Sequence, residues 1–123
     1  MADLRSRTVA GLKRTPRRGD IYWVALDPTL GTEIKKTRPA VVVSNNSCNA
    51  YGSRVVLPVT SNVSTLYPGE AKVEVDGKPC RVLGDQIRSV DKARLRARVG
   101  RLTTDETRDV DMALRITLEL RHV

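Results

Sequence analysis

The chain alternates short apolar runs with polar connections rich in glycine and proline, and a helical period appears only near its end. Gly19-Asp20 opens the run Ile21-Tyr22-Trp23-Val24-Ala25-Leu26, which is too short for a helix and is stopped by Asp27-Pro28, so it predicts a first strand. Residues 29–37 carry Gly31 and show no period, and they read as a loop. Pro39 bars helix and holds Arg38 extended just ahead of a second strand, Ala40–Val43. Asn45-Asn46-Ser47 predicts a turn, and Cys48 to Tyr51 at most one helical turn. Arg54–Val59 predicts a third strand, with Pro58 marking an edge or a bulge near its end.

A polar loop over Ser61–Glu70 leads into Ala71-Lys72-Val73-Glu74-Val75, whose period of two predicts a half-buried strand. Asp76-Gly77 is a tight-hairpin signal, so Cys80–Leu83 should return as its partner. Ile87–Val90 and Arg96–Val99 predict further strands around a turn at Asp91–Leu95. The single convincing helix follows. Thr103 and Glu106 form a capping box, and Val110, Ala113, Leu114, Thr117 and Leu120 recur at helical spacing. Asp109, Asp111, Arg115 and Glu119 lie opposite, with Asp111 and Arg115 spaced as an ion pair. The pattern predicts a mainly β fold with a C-terminal helix, a small, strongly bent sheet or partly open barrel, because a flat sheet would leave long exposed edges.

Composition fits this picture. A chain of 123 residues makes one domain, and without Phe its core must come from Val, Leu, Ile and Ala around Trp23 and a few Tyr. The formal charge is +8, and residues 1–18 hold six of the cations against Asp3 alone. The expected division is a basic, flexible extension over 1–18 and a folded domain over 19–123. A basic tail suits nucleic acid or an acidic protein partner, and equally a solvated leader. Cys48 and Cys80 have no CxxC or metal-type neighbour, so both are expected to be reduced thiols in a cytoplasmic protein. No segment approaches the roughly 20 apolar residues that cross a bilayer, and no membrane association is expected.

The candidate chemistry is narrowed by elimination. His122 is the only imidazole and sits one residue from the end, which disfavours a Ser-His or Cys-His nucleophile pair and a zinc site. Phosphate-binding glycine loops and carboxylate clusters for a two-metal site are also missing. An enzyme built from the remainder would need neither metal nor cofactor. Arginine, hydroxyls and amides remain, and a guanidinium fork suits a phosphate whose charge grows in a transition state. RNA carries its own nucleophile, the 2′-hydroxyl, so a protein that positions it and neutralises the phosphorane needs none of its own. Two apolar strands end in the candidate groups: Arg38 before Pro39-Ala40-Val41-Val42-Val43, and Thr60 after Pro58-Val59. Local chemistry alone does not separate Arg38 from a surface ion-pair partner, nor Thr60 from a strand-end cap.

At Gly19–Pro28, Gly31-Thr32-Glu33, Arg38–Asn45, Pro58–Ser61 and Asp85–Lys92 the chain closely resembles the MazF/PemK family of toxin ribonucleases, in order from about Gly19 to Leu120. The resemblance implies an SH3-like barrel with an added helix, of the MazF/CcdB type. It also implies a homodimer, and metal-independent, sequence-specific cleavage of single-stranded RNA that leaves a cyclic phosphate. An antitoxin with an acidic, disordered C-terminal segment would neutralise it. By position, Arg38 is similar to the family's catalytic arginine and Thr60 to its catalytic threonine. Glu33, Lys36, Asn45, Ser61, Gln86 and Arg88 fall where RNA contacts or site-shaping residues are implied, with Glu33 the nearby carboxylate able to act as a base. The family's usual Gly-Ser-Glu stands here as Gly31-Thr32-Glu33, and the loop from Ser61 to Pro68 departs further, so the cleavage motif does not transfer.

Arg94, Arg96, Arg98 and Arg101 form a basic cluster in which the even spacing from 94 to 98 predicts one face of a strand, read as an exposed face ahead of an RNA track. Trp23 and Tyr22 should lie on opposite faces of the first strand, in core packing or a dimer interface. Two rival classes remain. One is a CcdB-type inhibitor that binds a topoisomerase, and the other is an SH3-like module that binds RNA without cutting it.

Overall fold

The computed structural model describes residues 15–26, 37–50 and 52–121. The described strands are β1 (Asp20–Ala25), β2 (Thr37–Val42), β3 (Ser53–Thr60), β4 (Glu70–Val75), β5 (Lys78–Leu83), β6 (Arg88–Asp91) and β7 (Leu95–Arg101), followed by α1 (Thr104–Leu118). Single 3₁₀ turns occupy Cys48–Ala50 and Lys92–Arg94. Most of the loop expected at 29–37 and residues 1–14 lie outside the described residues.

The strands form one antiparallel, curled half-barrel sheet in the order β4-β5-β3-β2-β1-β7, with β6 also on β3. The curl is made at β3. Its first half, Ser53–Val56, pairs with β6, whereas Val59 and Thr60 pair with β5. Pro58 therefore sits neither at an edge nor in a bulge, as the sequence suggests, but in a central strand at the change of partner. Its missing N–H is tolerated there because Leu57 and Pro58 belong to neither of those two ladders, while Pro58 stands opposite Ala40 of β2.

Both faces of the central strands are covered. Ile21, Val41, Leu57 and Val59 pack with Ala71, Val73 and Val75 of β4, Val82 of β5, and Val110 and Ala113 of α1. Tyr22, Val24, Ala40, Val42 and Val56 pack on the other side with Leu26, Val90 and Leu95. This is why β1, β2 and β3 read as continuous apolar runs, while β4, covered on one face, alternates strictly. One ion lies inside this second side: Arg54 is 4% exposed, and burial lowers its pKa against the opposing pull of Asp91.

Local signals fix the periphery. Asp76 (φ 53°) and Gly77 (φ 76°) both adopt the left-handed conformation that joins β4 to β5 in a two-residue hairpin. Glu106 does more than cap α1. One carboxylate oxygen accepts the Thr103 N–H (2.9 Å) and the other the Glu74 N–H of edge strand β4 (2.6 Å), locking helix to sheet. Three details differ from the sequence pattern. Asp111 pairs with Arg18 at 2.8 Å rather than with Arg115. Leu120 lies past the left-handed cap at Glu119 and is 55% exposed, because the helix ends before its stripe would reach it. Arg17 and Arg18, grouped by charge with the extension, are bonded to the body: Arg18 donates to Val43 O and Asn46 Oδ1 (both 2.9 Å), and the Arg17 N–H to Asp20.

Candidate active site

The β2–β3 register decides where the candidate pair stands. Val42 faces Val56, Val41 faces Leu57 and Ala40 faces Pro58, where the ladder ends. Continued by two residues, the same register sets Arg38 opposite Thr60. Two groups 22 positions apart in sequence are thus brought together by strand pairing, at the end of the sheet where the proline of each strand withholds a backbone donor. Trp23 stands across β1–β2 from Pro39, and Arg38 across from Val24.

Beside them lies a cavity of about 570 Å³. Strands β1 and β2 supply Trp23, Thr37, Arg38 and Pro39, the end of β3 supplies Val59, Thr60 and Ser61, the β4–β5 hairpin supplies Asp76, Lys78 and Cys80, and β7 supplies Arg98 and Val99. Arg38, Lys78 and Arg98 place three cations on this lining against one carboxylate, Asp76. The wall is therefore cationic, with an apolar floor and an indole at its side. Such a surface can hold a polyanion and a stacked base together. Thr60 Oγ1 accepts the Asn62 N–H at 3.3 Å, which leaves its own proton available to a ligand acceptor. Burial raises the pKa of the Cys80 thiol, so at neutral pH it is an inert wall rather than a nucleophile.

The cavity gathers Arg38, Thr60 and Ser61 from the sequence-derived candidates. Glu33 and Lys36 lie outside the described residues. Asn45 is exposed in the turn after β2, where its carbonyl accepts the Asn49 N–H at 3.0 Å. Buried Asn49 holds that turn by donating to Ser44 O (3.0 Å) and accepting from Ser44 Oγ. Gln86 is half-buried before β6, and Arg88 Nη1 donates to Leu26 O at 2.7 Å. These three are not on the lining of the Arg38–Thr60 cavity. Among the described residues no three His, Cys, Asp or Glu side chains group as metal ligands, and no helix is long and apolar enough to cross a membrane.

Sequence reasoning missed Lys78, Asp76 and Trp23 as cavity residues. The Asp76-Gly77 signal gives the hairpin but not the wall it faces. The even spacing of Arg94, Arg96 and Arg98 holds only in part. Arg94 lies in the 3₁₀ turn and bonds Ala25 O, while the β1–β7 register shifts between Ile21 and Tyr22 and again between Tyr22 and Val24. Within β7 the alternation holds from Leu95 to Arg98, with Arg96 and Arg98 on the more exposed side, and lapses beyond it, so that Arg98 and its neighbour Val99 both reach the cavity.

A small curled barrel with one packed helix, carrying a cationic cleft at the open end of its central strands, defines a class of single-domain proteins suited to binding a phosphate polymer. The particular family is shown by the sequence: residues 17–118 match the family described as PemK-like, MazF-like toxin of type II toxin-antitoxin system, and the chain belongs to it. It is 39% identical over 117 residues to the endoribonuclease MazF9 of Mycobacterium tuberculosis, covering 85% of this chain and 97% of that protein. The crystal structure of MazF from Deinococcus radiodurans is similar with a TM-score of 0.77 at 29% identity, covering 87% of this chain and 99% of that one. A MazE–MazF crystal structure from the same organism gives a TM-score of 0.69 at 26% identity, covering 88% and 99%.

Proposed function

We propose that this toxin cleaves single-stranded RNA at a sequence motif, without a metal, by setting the substrate's own 2′-hydroxyl against the neighbouring phosphate. Its class, a toxin endoribonuclease, follows from the family and from its identity to MazF9. In the proposed step the 2′-oxygen bonds to phosphorus and gives up its proton, and the bond to the 5′-oxygen breaks. That oxygen takes a proton, leaving a 2′,3′-cyclic phosphate and a 5′-hydroxyl. Arg38 bears the charge that grows on the phosphorane oxygens, and the Thr60 hydroxyl donates to one of them.

The observation that carries this reading is that Arg38 and Thr60, from the paired strands β2 and β3, line one cationic cavity. Arg38→Ala should reduce cleavage of a defined RNA by roughly 10³-fold or more while the protein melts as the wild type does. A folded Arg38→Ala protein that still cuts would refute the site. EDTA should leave the rate unchanged; loss on chelation with rescue by a divalent ion would overturn the metal-free mechanism. Mapping 5′ ends in total RNA gives the motif. A preparation that cuts no RNA yet stalls gyrase, or binds RNA without product, would replace this reading with one of its rivals.

The same reading includes a homodimer and an antitoxin with an acidic, disordered C-terminal segment. Protein cover is supported by large apolar side chains left near half exposure: Leu66 and Tyr67 of the β3–β4 loop, and Met112, Ile116 and Leu118 of α1. The acidic segment is supported by the +8 charge and by the three cavity cations, which repel any basic partner. Light scattering and titration with an acidic antitoxin peptide test the two claims.

A further inference from the structure

Three features stand outside the proposed chemistry: the buried Asp20 between two arginines, the buried Arg54, and the apolar α1 face. The first reaches the cavity. Asp20 is fully buried, yet it is a carboxylate, with two guanidinium groups and a backbone N–H among its neighbours. Arg101 Nη1 stands 2.9 Å from its Oδ1, Arg98 Nε 3.4 Å from the same oxygen, and the Arg17 N–H donates to Oδ2 at 2.9 Å. One negative charge thus faces two guanidinium groups, and the cluster keeps a net positive charge. Arg101 is not on the cavity lining, and Arg98 is. Arg98 stands opposite Tyr22, between the two register shifts of the β1–β7 pairing.

We propose that Arg98 is a second phosphate-binding residue of this site, taking a phosphodiester that flanks the scissile one, and that Asp20 is the positioning residue that fixes it. This rests on the RNA-cleavage reading above. Asp20 Oδ1 faces Arg98 from its Nε side at 3.4 Å, and it is the ion-pair partner of Arg98 among the described residues. The two Nη groups are thereby left for a planar, two-point contact with phosphate oxygens, and a guanidinium held from behind loses less freedom when it binds. With Arg38 on β2 and Arg98 on β7, the cavity has one cation for the reacting phosphate and another for its neighbour. The strand is gripped at two points, so the register of the RNA across the site is fixed as well as its affinity.

A contact to a non-reacting phosphate is equally strong before and during reaction, so Arg98→Ala should raise KM roughly tenfold with kcat nearly unchanged. Arg38→Ala should instead abolish kcat. The test uses RNA oligonucleotides carrying the mapped motif, with a neutral methylphosphonate replacing one flanking linkage at a time. In the wild type one such position should raise KM, and in Arg98→Ala that same replacement should cost nothing further. Binding of a 2′-deoxy, uncleavable strand should lose about 0.7 from its log–log salt slope in Arg98→Ala. Exposed Arg108→Ala on α1 should leave the slope as it is. Asp20→Asn should reproduce the KM effect. Should it fail to fold, Arg98→Lys, which keeps the charge but has no Nε for Asp20 to hold, should keep the salt slope and still raise KM partway. The proposal is overturned if the methylphosphonate penalty and salt slope are the same with and without Arg98. If the wild type releases no product from RNA, the RNA reading itself fails and this proposal with it; if Arg38→Ala retains cleavage, the Arg38–Thr60 site fails; and if Arg38→Ala is dead and Arg98→Ala indistinguishable from wild type, only this proposal fails.

Discussion

Gly84, just past the end of β5, should not accept even one methyl group. Its N–H donates to Gly69 O at 3.1 Å, and a Cβ added to Gly84 would lie 2.2 Å from that oxygen, 3.3 Å from the Gly69 carbonyl carbon and 3.4 Å from Thr117 Oγ1 of α1. Restoring ordinary contact requires the two backbones to part by about 1 Å, which breaks the hydrogen bond, worth about 1 kcal/mol, and overpacks the seam between β4 and α1 by about 1–3 kcal/mol. Gly69 has little room to retreat, since it holds a left-handed φ of 85° and the space beside its Cα is filled by Thr117 Oγ1, 2.7 Å from where a Cβ would stand. The reduced freedom of the unfolded chain returns about 0.4–1 kcal/mol. The net loss for Gly84→Ala is therefore about 1–3.5 kcal/mol, which lowers Tm by roughly 4–14 °C in a domain of this size. Thermal and urea unfolding followed by circular dichroism read it directly. Gly100→Ala is the control, because nothing lies within 4 Å of its Cβ. A Gly84→Ala protein that melts with the control would refute the claim that backbone contact holds the β4 end of the sheet to the helix.

Glu106→Ala removes both the cap at Thr103 and the acceptor for the Glu74 N–H, and should destabilise by about 2 kcal/mol; a urea midpoint shift no larger than that of Thr103→Ala alone would show that the Glu74 bond contributes nothing. Asp91→Asn keeps an oxygen to accept the Ala93 N–H but removes a negative charge that acts on buried Arg54 from the exposed end of β6, so it should cost up to about 1 kcal/mol where Ser89→Ala costs little. Cys80 gives a pH signature. Its folded pKa is raised by burial, so the unfolded chain ionises first, and the thiol's contribution is full below the ordinary thiol range and lost as pH rises through the native value. Urea midpoints between pH 7 and 10 should fall more steeply for the wild type than for Cys80→Ala, and parallel curves would exclude the effect.

The fold was legible wherever a short-range signal carried it. The apolar runs of β1, β2 and β3, the Asp76-Gly77 turn and the Thr103/Glu106 box each name their element, and the structure has them within one to three residues of the expected ends. The site was legible only in part, because proximity across a sheet is set by register, and register is a long-range property. Arg38 and Thr60 could be named from their family positions, while Lys78, Asp76 and Trp23 become neighbours only once β3 has exchanged β6 for β5 and swung the hairpin round. Val99 escaped a period-two reading because the alternation of β7 lapses beyond Arg98. Asp111 escaped the helix rule because Arg18, 93 positions away, reached it first.

The double burial of β1, β2 and β3 sets where such a protein is free to diverge. The central positions of those strands, Ile21, Tyr22, Val24, Ala40–Val42, Val56, Leu57 and Val59, are committed to one packed face or the other, so substitutions there are filtered by folding before recognition is ever tested. The segments bordering the cleft carry no such commitment: Ser61 to Pro68 is exposed throughout, as are Asp76, Gly77 and Lys78. Loop changes there can alter which RNA is read while Arg38 and Thr60 stay fixed by a framework that does not register the change. In the proposed reading, one arrangement of Arg38 and Thr60 would in this way be reissued with many target preferences, set by segments that the packed strands do not constrain.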